Sequence, residues 1–241
     1  MRNYFSFKKA GYLLLFCVSL YACSKDMVIT QDIGYNYFPV KVGKYVVYDV
    51  DSILYDRFKH DTTVYKYQIK EQIDSVITDN SGRSTLKIIR YIKKFSDTLS
   101  YDSMPWKLKD VWMANRTETT VEQVEENIRL VKLIFPVRQD KTWNGNAYNL
   151  NEPIDYQYTD VDVSDKYGNL SFDSTLFVTQ INNENAIEKQ YYVEVYARNV
   201  GMIYKQIIDV SDTTILPGVP VVNRIVEGIQ YKMTIHSYGN D

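Results

Sequence analysis

The clearest strand pattern of this chain lies in residues 63–77, which read Thr63-Val64-Tyr65-Lys66-Tyr67-Gln68-Ile69-Lys70-Glu71-Gln72-Ile73-Asp74-Ser75-Val76-Ile77. One face of this segment is mainly apolar and aromatic, from Tyr65 to Ile77, and the other carries polar side chains such as Lys66. An alternation with a period of two is typical of an antiparallel strand with one buried face. The segment therefore predicts a half-buried β-strand.

A turn and a second strand follow this segment. The tetrapeptide Asn80-Ser81-Gly82-Arg83 has turn chemistry, because Gly82 can adopt a positive φ at little cost. Residues 84–95 then return with apolar side chains at most positions that would face the same side. Together the two segments predict an antiparallel hairpin.

Similar patterns recur along the rest of the chain, and no segment predicts a long helix. They predict further strands at residues 44–55, 109–116, 118–124, 128–136, 154–163, 170–181, 187–197, 202–210 and 222–236. The expected fold is therefore all-β and predominantly antiparallel, with about eleven strands in one domain over residues 37–241. Two architectures can bury such a set, a β-sandwich or a curved sheet that closes into a barrel or half-barrel. Short turns between consecutive strands favour the curved sheet.

Two glutamates interrupt the apolar faces. Glu71 lies between Ile69 and Ile73, and Glu227 occupies the equivalent position near the end of the chain, so alternation points both carboxylates inward. A hairpin that turns at Ser81-Gly82 places Arg90 diagonal to Glu71 on the same face, and we expect the two to form a salt bridge. The pair is interpreted either as a polar site in a ligand cavity or as a paired charge at a strand end or sheet edge.

Other residues offer candidate ligand sites. The sequence Trp143-Asn144-Gly145-Asn146 predicts a tight turn with an exposed indole, which could stack on a sugar or peptide ligand, although core packing is the alternative use of an aromatic residue. Asp160, Asp162 and Asp165 resemble a calcium loop, but their spacing departs from the usual ligand order and also suits a plain turn.

Composition excludes several classes of function. The chain has two histidines and two cysteines, and it lacks the spacing of a zinc site, a P-loop, a dinucleotide fingerprint or a nucleophile elbow. We therefore expect no metal, no cofactor and no enzymatic activity. The net charge is −2, or −5 after loss of residues 1–22, which takes away three basic side chains and no acid. Such mild acidity argues against binding to nucleic acid.

The N-terminal residues have the order of a bacterial lipoprotein signal peptide. Two lysines precede a short apolar run, which ends in Leu20-Tyr21-Ala22-Cys23. We expect cleavage before Cys23, attachment of lipid to its thiol, and a tether over residues 23–36. The acyl chains would anchor the protein to the outer membrane, on the periplasmic face or on the cell surface. An ordinary signal peptide cut after Ala22 is the alternative.

Three segments together resemble envelope lipoproteins of the Bacteroidota. They are Leu20-Tyr21-Ala22-Cys23, the opening strand region Tyr37-Phe38-Pro39-Val40-Lys41-Val42-Gly43-Lys44-Tyr45-Val46-Val47-Tyr48, and the late segment Glu194-Val195-Tyr196-Ala197-Arg198-Asn199-Val200-Gly201-Met202-Ile203-Tyr204. Those lipoproteins often show a similar start, with tryptophan where this chain has Tyr45. The resemblance implies an envelope location and a β architecture, and it implies no catalytic residue.

One recurring triplet begins with Asp, continues with Ser or Thr, and ends with Ala, Ile, Leu, Val, Met or Thr. It looks like the O-glycosylation acceptor of the same bacteria. Its hydroxyl residues are Ser52, Thr62, Ser75, Thr98, Ser103, Ser174 and Thr213. The same triplet also forms turns that open a strand, and a hydroxyl in a buried strand could not be modified. We expect some of these residues, but not all, to carry a glycan.

Three functions are consistent with the sequence. The first is a non-enzymatic lipoprotein whose β domain binds a small molecule, a glycan or an envelope protein. The second is a structural subunit of an envelope complex that docks through an exposed strand edge or an aromatic patch. The third is a hydrolase, which would need two carboxyl groups about 5 to 10 Å apart in an open cleft.

Overall fold

Twelve antiparallel strands form one sheet in the computed structural model, which describes residues 32–241. The strands are β1 (Lys44–Asp56), β2 (Asp61–Thr78), β3 (Ser84–Lys94), β4 (Lys107–Arg116), β5 (Thr120–Glu125), β6 (Ile128–Ile134), β7 (Thr142–Asn144), β8 (Asp155–Tyr167), β9 (Leu170–Glu184), β10 (Glu188–Ala197), β11 (Gly201–Ser211) and β12 (Glu227–Asn240). Three 3₁₀ turns, Tyr35–Tyr37, Tyr101–Ser103 and Val221–Asn223, are the helical elements of this range.

The sheet curls into a nearly closed up-and-down barrel. Its strand order is β6-β5-β4-β3-β2-β1-β12-β11-β10-β9-β8-β7, so the first and last strands pair and the seam lies between β6 and β7. At the seam the Val131 N–H donates to the Gly145 carbonyl at 2.9 Å. The Tyr158 hydroxyl also bridges the seam, because it donates to the Ile134 carbonyl and accepts from the Ile134 N–H, each at 2.8 Å. The all-β prediction is confirmed, with a curved sheet in place of a sandwich.

The ends of the predicted strands lie within about four residues of the observed ends, apart from two larger differences. The last strand begins at Glu227 and not near residue 222, because residues Val221–Asn223 form a 3₁₀ turn after Pro220. The short strand β7 was expected to be a tight turn, but it pairs with β8 through Trp143 and Tyr156. Three residues are too few to show a periodic pattern, so this strand has no signal in the sequence.

The β2–β3 hairpin has a different register from the predicted one. Glu71 lies directly opposite Arg90 and not diagonal to it. An irregularity between Ile73 and Ser75 shifts the pairing near the turn, where the Asp79 carboxylate accepts the N–H groups of Ser81 and Arg83, each at 2.9 Å. Direct pairing keeps both side chains on one face, so the expected ion pair still forms.

An N-terminal segment, residues 33–40, covers one end of the barrel. The folded unit spans Ile33–Asp241, so it includes residues 33–36, which were expected to belong to the tether. The Val137 N–H donates to the Ile33 carbonyl at 3.0 Å, and Arg116 donates to the Phe38 carbonyl at 2.9 Å. Tyr37 is completely buried. These contacts hold Phe38 and Pro39 over the barrel interior.

A polar cluster holds Tyr37 in place. Its hydroxyl donates to Asp162 Oδ1 at 2.7 Å and lies 2.9 Å from the Ser174 hydroxyl, and Arg198 pairs with the same carboxylate at 2.6 Å. Asp162 thus binds protein groups, while Asp160 and Asp165 are exposed. The structure assigns no calcium-binding geometry to this acidic segment, and residues 32–241 contain no group of three or more His, Cys, Asp or Glu side chains placed to hold a metal ion.

Two expectations concern residues outside those described. The signal peptide, residues 1–22, and the lipidated Cys23 both precede residue 32. Within residues 32–241, none of the helical elements has the length and apolar character needed to cross a membrane.

Candidate functional site

A cavity of about 260 Å³ lies inside the barrel. Alternation along β1 directs Lys44, Val46 and Tyr48 toward it, and β2, β3 and β4 complete that half of the wall. Strands β5, β6, β10, β11 and β12 provide the rest of the wall. The apolar residues that line it are Phe38, Pro39, Val46, Ile73, Ile88, Val200, Met202, Ile207, Ile229 and Met233. The walls are therefore largely apolar, as in most sites for small molecules.

One charged cluster in the cavity wall is centred on Arg90. Its Nε donates to Glu71 Oε1 at 2.9 Å, and its Nη1 donates to both oxygens of Asp110 at 3.1 Å. The guanidinium also stacks on the ring of Trp112, with 3.5 Å from Cζ to the ring centroid. Burial raises the pKa of Glu71, although the positive charge of Arg90 acts in the opposite direction. The predicted Glu71–Arg90 salt bridge is confirmed.

A second cluster joins two lysines to two glutamates. Lys132 Nζ contacts Glu125 at 3.0 Å and Glu194 at 2.5 Å, and Lys205 Nζ contacts Glu194 at 3.1 Å. The Tyr196 hydroxyl donates to the second Glu194 oxygen at 2.7 Å. Burial would raise the pKa of Glu194, but Lys132 and Lys205 outweigh it and lower that pKa to about 2. Glu194 is therefore ionised at neutral pH.

The second cluster was not predicted from the sequence. Alternation along residues 187–197 puts Glu194 on the same polar face as Glu188 and Gln190, yet the Glu194 side chain is 0% exposed. Both faces of β10 are buried here, because Val195 packs on the opposite face in one apolar cluster with Phe172 of β9. The run Val193-Glu194-Val195-Tyr196-Ala197 was the available signal, since its other four residues are all apolar or aromatic.

Glu227 and Trp143 do not occupy the predicted environments. Glu227 is exposed, because it is the first residue of β12, where the strand end reaches water. Trp143 is only 9% exposed, so the prediction of a presented indole was wrong. Its Nε1 donates to the Val131 carbonyl at 2.8 Å, and its ring lies 4.5 Å from that of Tyr158. Trp143 packs at the barrel seam and does not line the cavity described above.

The candidate glycosylation residues fall into three groups. Ser52 is buried on β1, so a glycosyltransferase could not reach it in the folded protein. Ser75 and Ser174 are partly buried. The exposed hydroxyl residues are Thr62, Thr98, Ser103 and Thr213.

Comparison with known proteins gives one similar structure. No protein family matches the chain, and no curated protein matches it. A crystal structure of a Bacteroides fragilis protein, described as a candidate exported protein with a YmcC-like fold, is 10% identical and superposes with a TM-score of 0.43. The match covers 84% of this chain and 98% of that chain. The barrel cavity and its charged groups are therefore the basis for a functional proposal.

Proposed function

We propose that this protein is a non-enzymatic binding protein of the bacterial envelope, which holds a small amphiphilic molecule inside its barrel. The cavity of about 260 Å³ is the observation that carries the proposal. Protein interiors are close-packed and contain few voids larger than one water molecule. This volume corresponds to about nine water molecules, at roughly 30 Å³ each.

The polar groups of the wall support an amphiphilic ligand. The Trp112 indole N–H is buried and has no hydrogen-bond partner among residues 32–241, and Trp112 lines the cavity. A buried polar group without a partner is uncommon in folded proteins. The ligand would meet apolar side chains along most of the wall and charged groups at Arg90 and Lys205.

The same groups are poorly arranged for hydrolysis. A carboxylate pair that cleaves a glycosidic bond needs one acid with a raised pKa and one ionised partner. Glu125 and Glu194 instead share Lys132, and the pKa of each is lowered. Glu71 is the residue with a raised pKa, but its carboxylate already accepts a hydrogen bond from Arg90. These contacts favour binding over catalysis.

The envelope location rests on the lipoprotein pattern that ends at Cys23. A lipid on Cys23 would hold the barrel at the outer membrane, and the barrel would present its cavity to ligands of the periplasm or of the cell exterior. Membrane fractionation of the wild type and of Cys23→Ala, with protease treatment of whole cells, distinguishes these locations. Release of Cys23→Ala from the membrane is expected, and retention of this variant would contradict the proposal.

A cavity-filling variant tests the binding function. Octan-1-ol, with nine non-hydrogen atoms, is expected to bind the wild type, and Ile88→Trp is expected to weaken this binding at least about tenfold, because the larger ring occupies the cavity. Ile215→Trp is the matched control, since Ile215 is exposed on the β11–β12 loop. Isothermal titration calorimetry measures both. Equal binding by Ile88→Trp, or none by the wild type, would contradict the proposal.

An apolar rim at one end of the barrel favours a structural subunit as the second candidate function. The rim consists of Phe58, Leu150 and Ile215, which lie on the β1–β2, β7–β8 and β11–β12 connections and are 88%, 104% and 66% exposed. Antiparallel order places these three connections at the same end. Contiguous exposed apolar surface often marks a protein interface, and these three side chains are exposed at the same end of the barrel.

Serine substitutions test the rim. If it docks to an envelope protein, the wild type extracted in mild detergent is expected to have a larger mass than one chain, whereas a triple serine variant of the rim is expected to be monomeric, because the apolar contacts are lost. Val42, Val76 and Val163, exposed at the opposite end, provide a triple serine control. Size-exclusion chromatography with light scattering gives the masses. A monomeric wild type would exclude a stable complex.

A further inference from the structure

Lys44 differs from the other cations that line the cavity. It is the first residue of β1 and is partly buried, on the face that it shares with Val46 and Tyr48. Arg90, Lys132 and Lys205 each contact a carboxylate. In the described part of the chain, no carboxylate lies within 4.0 Å of the Lys44 ammonium group.

The charge of Lys44 is not balanced within the cavity. Lys132 and Lys205 face two glutamates, and Arg90 and Lys109 face Glu71 and Asp110, so each charged cluster holds equal numbers of positive and negative groups. Partial burial lowers the pKa of Lys44, and the neighbouring Lys41 adds repulsion. An anion at this position would oppose both effects, because a nearby negative charge favours the protonated form of the lysine.

Apolar side chains adjoin Lys44. The Gly43 N–H donates to the Ile73 carbonyl at 2.8 Å, which places Lys44 beside Ile73. Ile73 pairs with Ile88 on the next strand, and Phe38 of the N-terminal segment lines the same cavity. A cation therefore lies next to a continuous apolar surface.

We propose that the ligand is a straight-chain monocarboxylate of about eight carbons, whose carboxylate pairs with Lys44 and whose chain lies against Phe38, Ile73 and Ile88. This inference rests on the proposed function and names the ligand class of the same cavity. Such a ligand has about ten non-hydrogen atoms, which is close to the roughly nine atoms of the size of water that a cavity of about 260 Å³ holds. Lys44 is the one cavity-lining cation without a carboxylate partner among residues 32–241, and it matches a ligand with one carboxylate.

Three ligands of equal chain length test the proposal. Octanoate, octan-1-ol and octylammonium differ mainly in the charge of the head group, and calorimetry at pH 7 gives each dissociation constant. Octanoate is expected to bind the wild type about tenfold more tightly than octan-1-ol, because a charge-assisted hydrogen bond forms in a partly desolvated site. Octylammonium is expected to bind most weakly.

Two lysine variants identify the charge that is responsible. Lys44→Gln is expected to abolish the advantage of octanoate and to leave the affinity for octan-1-ol unchanged. Lys41→Gln removes a charge three residues earlier, on an exposed side chain that does not line the cavity, and is expected to retain the preference for octanoate. Circular dichroism checks that both variants fold.

The outcomes separate this inference from the proposed function. Equal binding of octanoate and octan-1-ol, tightest binding of octylammonium, or equal effects of the two lysine variants would overturn the carboxylate assignment while the cavity still binds a ligand. Failure of all three ligands to bind would overturn the proposed function and this inference together.

Discussion

Lys132→Met is expected to lower the free energy of unfolding by about 4 kcal/mol, because removal of one partner from a buried ion pair leaves the other charge without compensation. Lys132 is 2% exposed and contacts both Glu125 and Glu194. In the variant, Lys205 alone remains to balance two carboxylates. Urea unfolding followed by circular dichroism measures the change.

Two further variants separate charge loss from loss of side-chain packing. Lys189→Met breaks a partly exposed pair with Glu184 and is expected to cost less than about 1 kcal/mol. The double variant Lys132→Met/Glu194→Gln is expected to be more stable than Lys132→Met, because the neutral amide no longer requires a counter-charge. A Lys132→Met protein as stable as Lys189→Met would contradict the proposed energetic role of the cluster.

The Lys132 cluster also predicts a pH dependence. The pKa of Glu194 is about 2 in the folded protein, against a usual value of 4.5. An acid whose pKa is lowered by folding contributes stability above its unfolded pKa, and this contribution is lost as the pH falls through the folded pKa. Wild-type stability from Glu194 is therefore expected to decline between about pH 4.5 and about pH 2. The decline should be smaller in Lys132→Met, because the pKa of Glu194 is lowered less when the positive charge of Lys132 is absent.

Arg90→Met is expected to lower the free energy of unfolding by about 3 kcal/mol at pH 7, because it too leaves a buried carboxylate without its partner. The substitution removes the partner of Glu71 and one partner of Asp110, and it also removes the guanidinium that stacks on Trp112. Lys87→Met, which breaks an exposed pair with Asp74, is the control and is expected to cost less than about 1 kcal/mol. The same urea experiment applies to both variants.

Acidification is expected to reduce the loss of stability in Arg90→Met. At Glu194, by contrast, acid removes stability from the wild type. Burial already raises the pKa of Glu71 in the wild type, and loss of Arg90 raises it further. An acid whose pKa is raised by folding binds a proton more readily in the folded state, so stability increases as the pH falls toward the unfolded pKa. The difference in unfolding free energy between the wild type and Arg90→Met is expected to be smaller at pH 5 than at pH 7. Addition of Glu71→Gln to Arg90→Met is expected to reduce that difference at pH 7. A deficit that widens on acidification would contradict this account.

The energetics of both clusters bear on the proposed function. Buried ion pairs often contribute no more stability than apolar side chains of the same volume, because desolvation offsets their attraction. An apolar core would therefore fill the barrel at least as well as these charged groups. Their placement around a cavity is more useful to a protein that binds a polar head group than to one that only needs a stable core.

Local pattern was sufficient for the strands and for one ion pair. A period of two identified eleven of the twelve strands, because a half-buried strand must alternate between water and core. The same alternation placed Glu71 and Arg90 on one face. The predicted register was wrong, but the predicted ion pair was correct, because the two residues are adjacent in either register.

Long-range packing explains the residues that local pattern misplaced. Glu194 lies on a strand that is buried on both faces, so alternation gave no information about its environment. Trp143 is buried because its indole packs between β6 and β8 at the barrel seam, where it donates to the Val131 carbonyl and contacts Tyr158. Glu227 follows the apolar alternation but lies at a strand end that is open to water.

The amino-acid sequence was thus enough to establish an all-β antiparallel chain and its strand positions, since these depend on the spacing of side chains along one strand. The closure of the sheet, the cavity and the Lys132 cluster became apparent only in three dimensions, as did the lack of a carboxylate partner for Lys44 within residues 32–241. They depend on which strands meet across the barrel, and that is set by the curvature of the whole sheet and the pairing of β1 with β12, which no short stretch of sequence encodes.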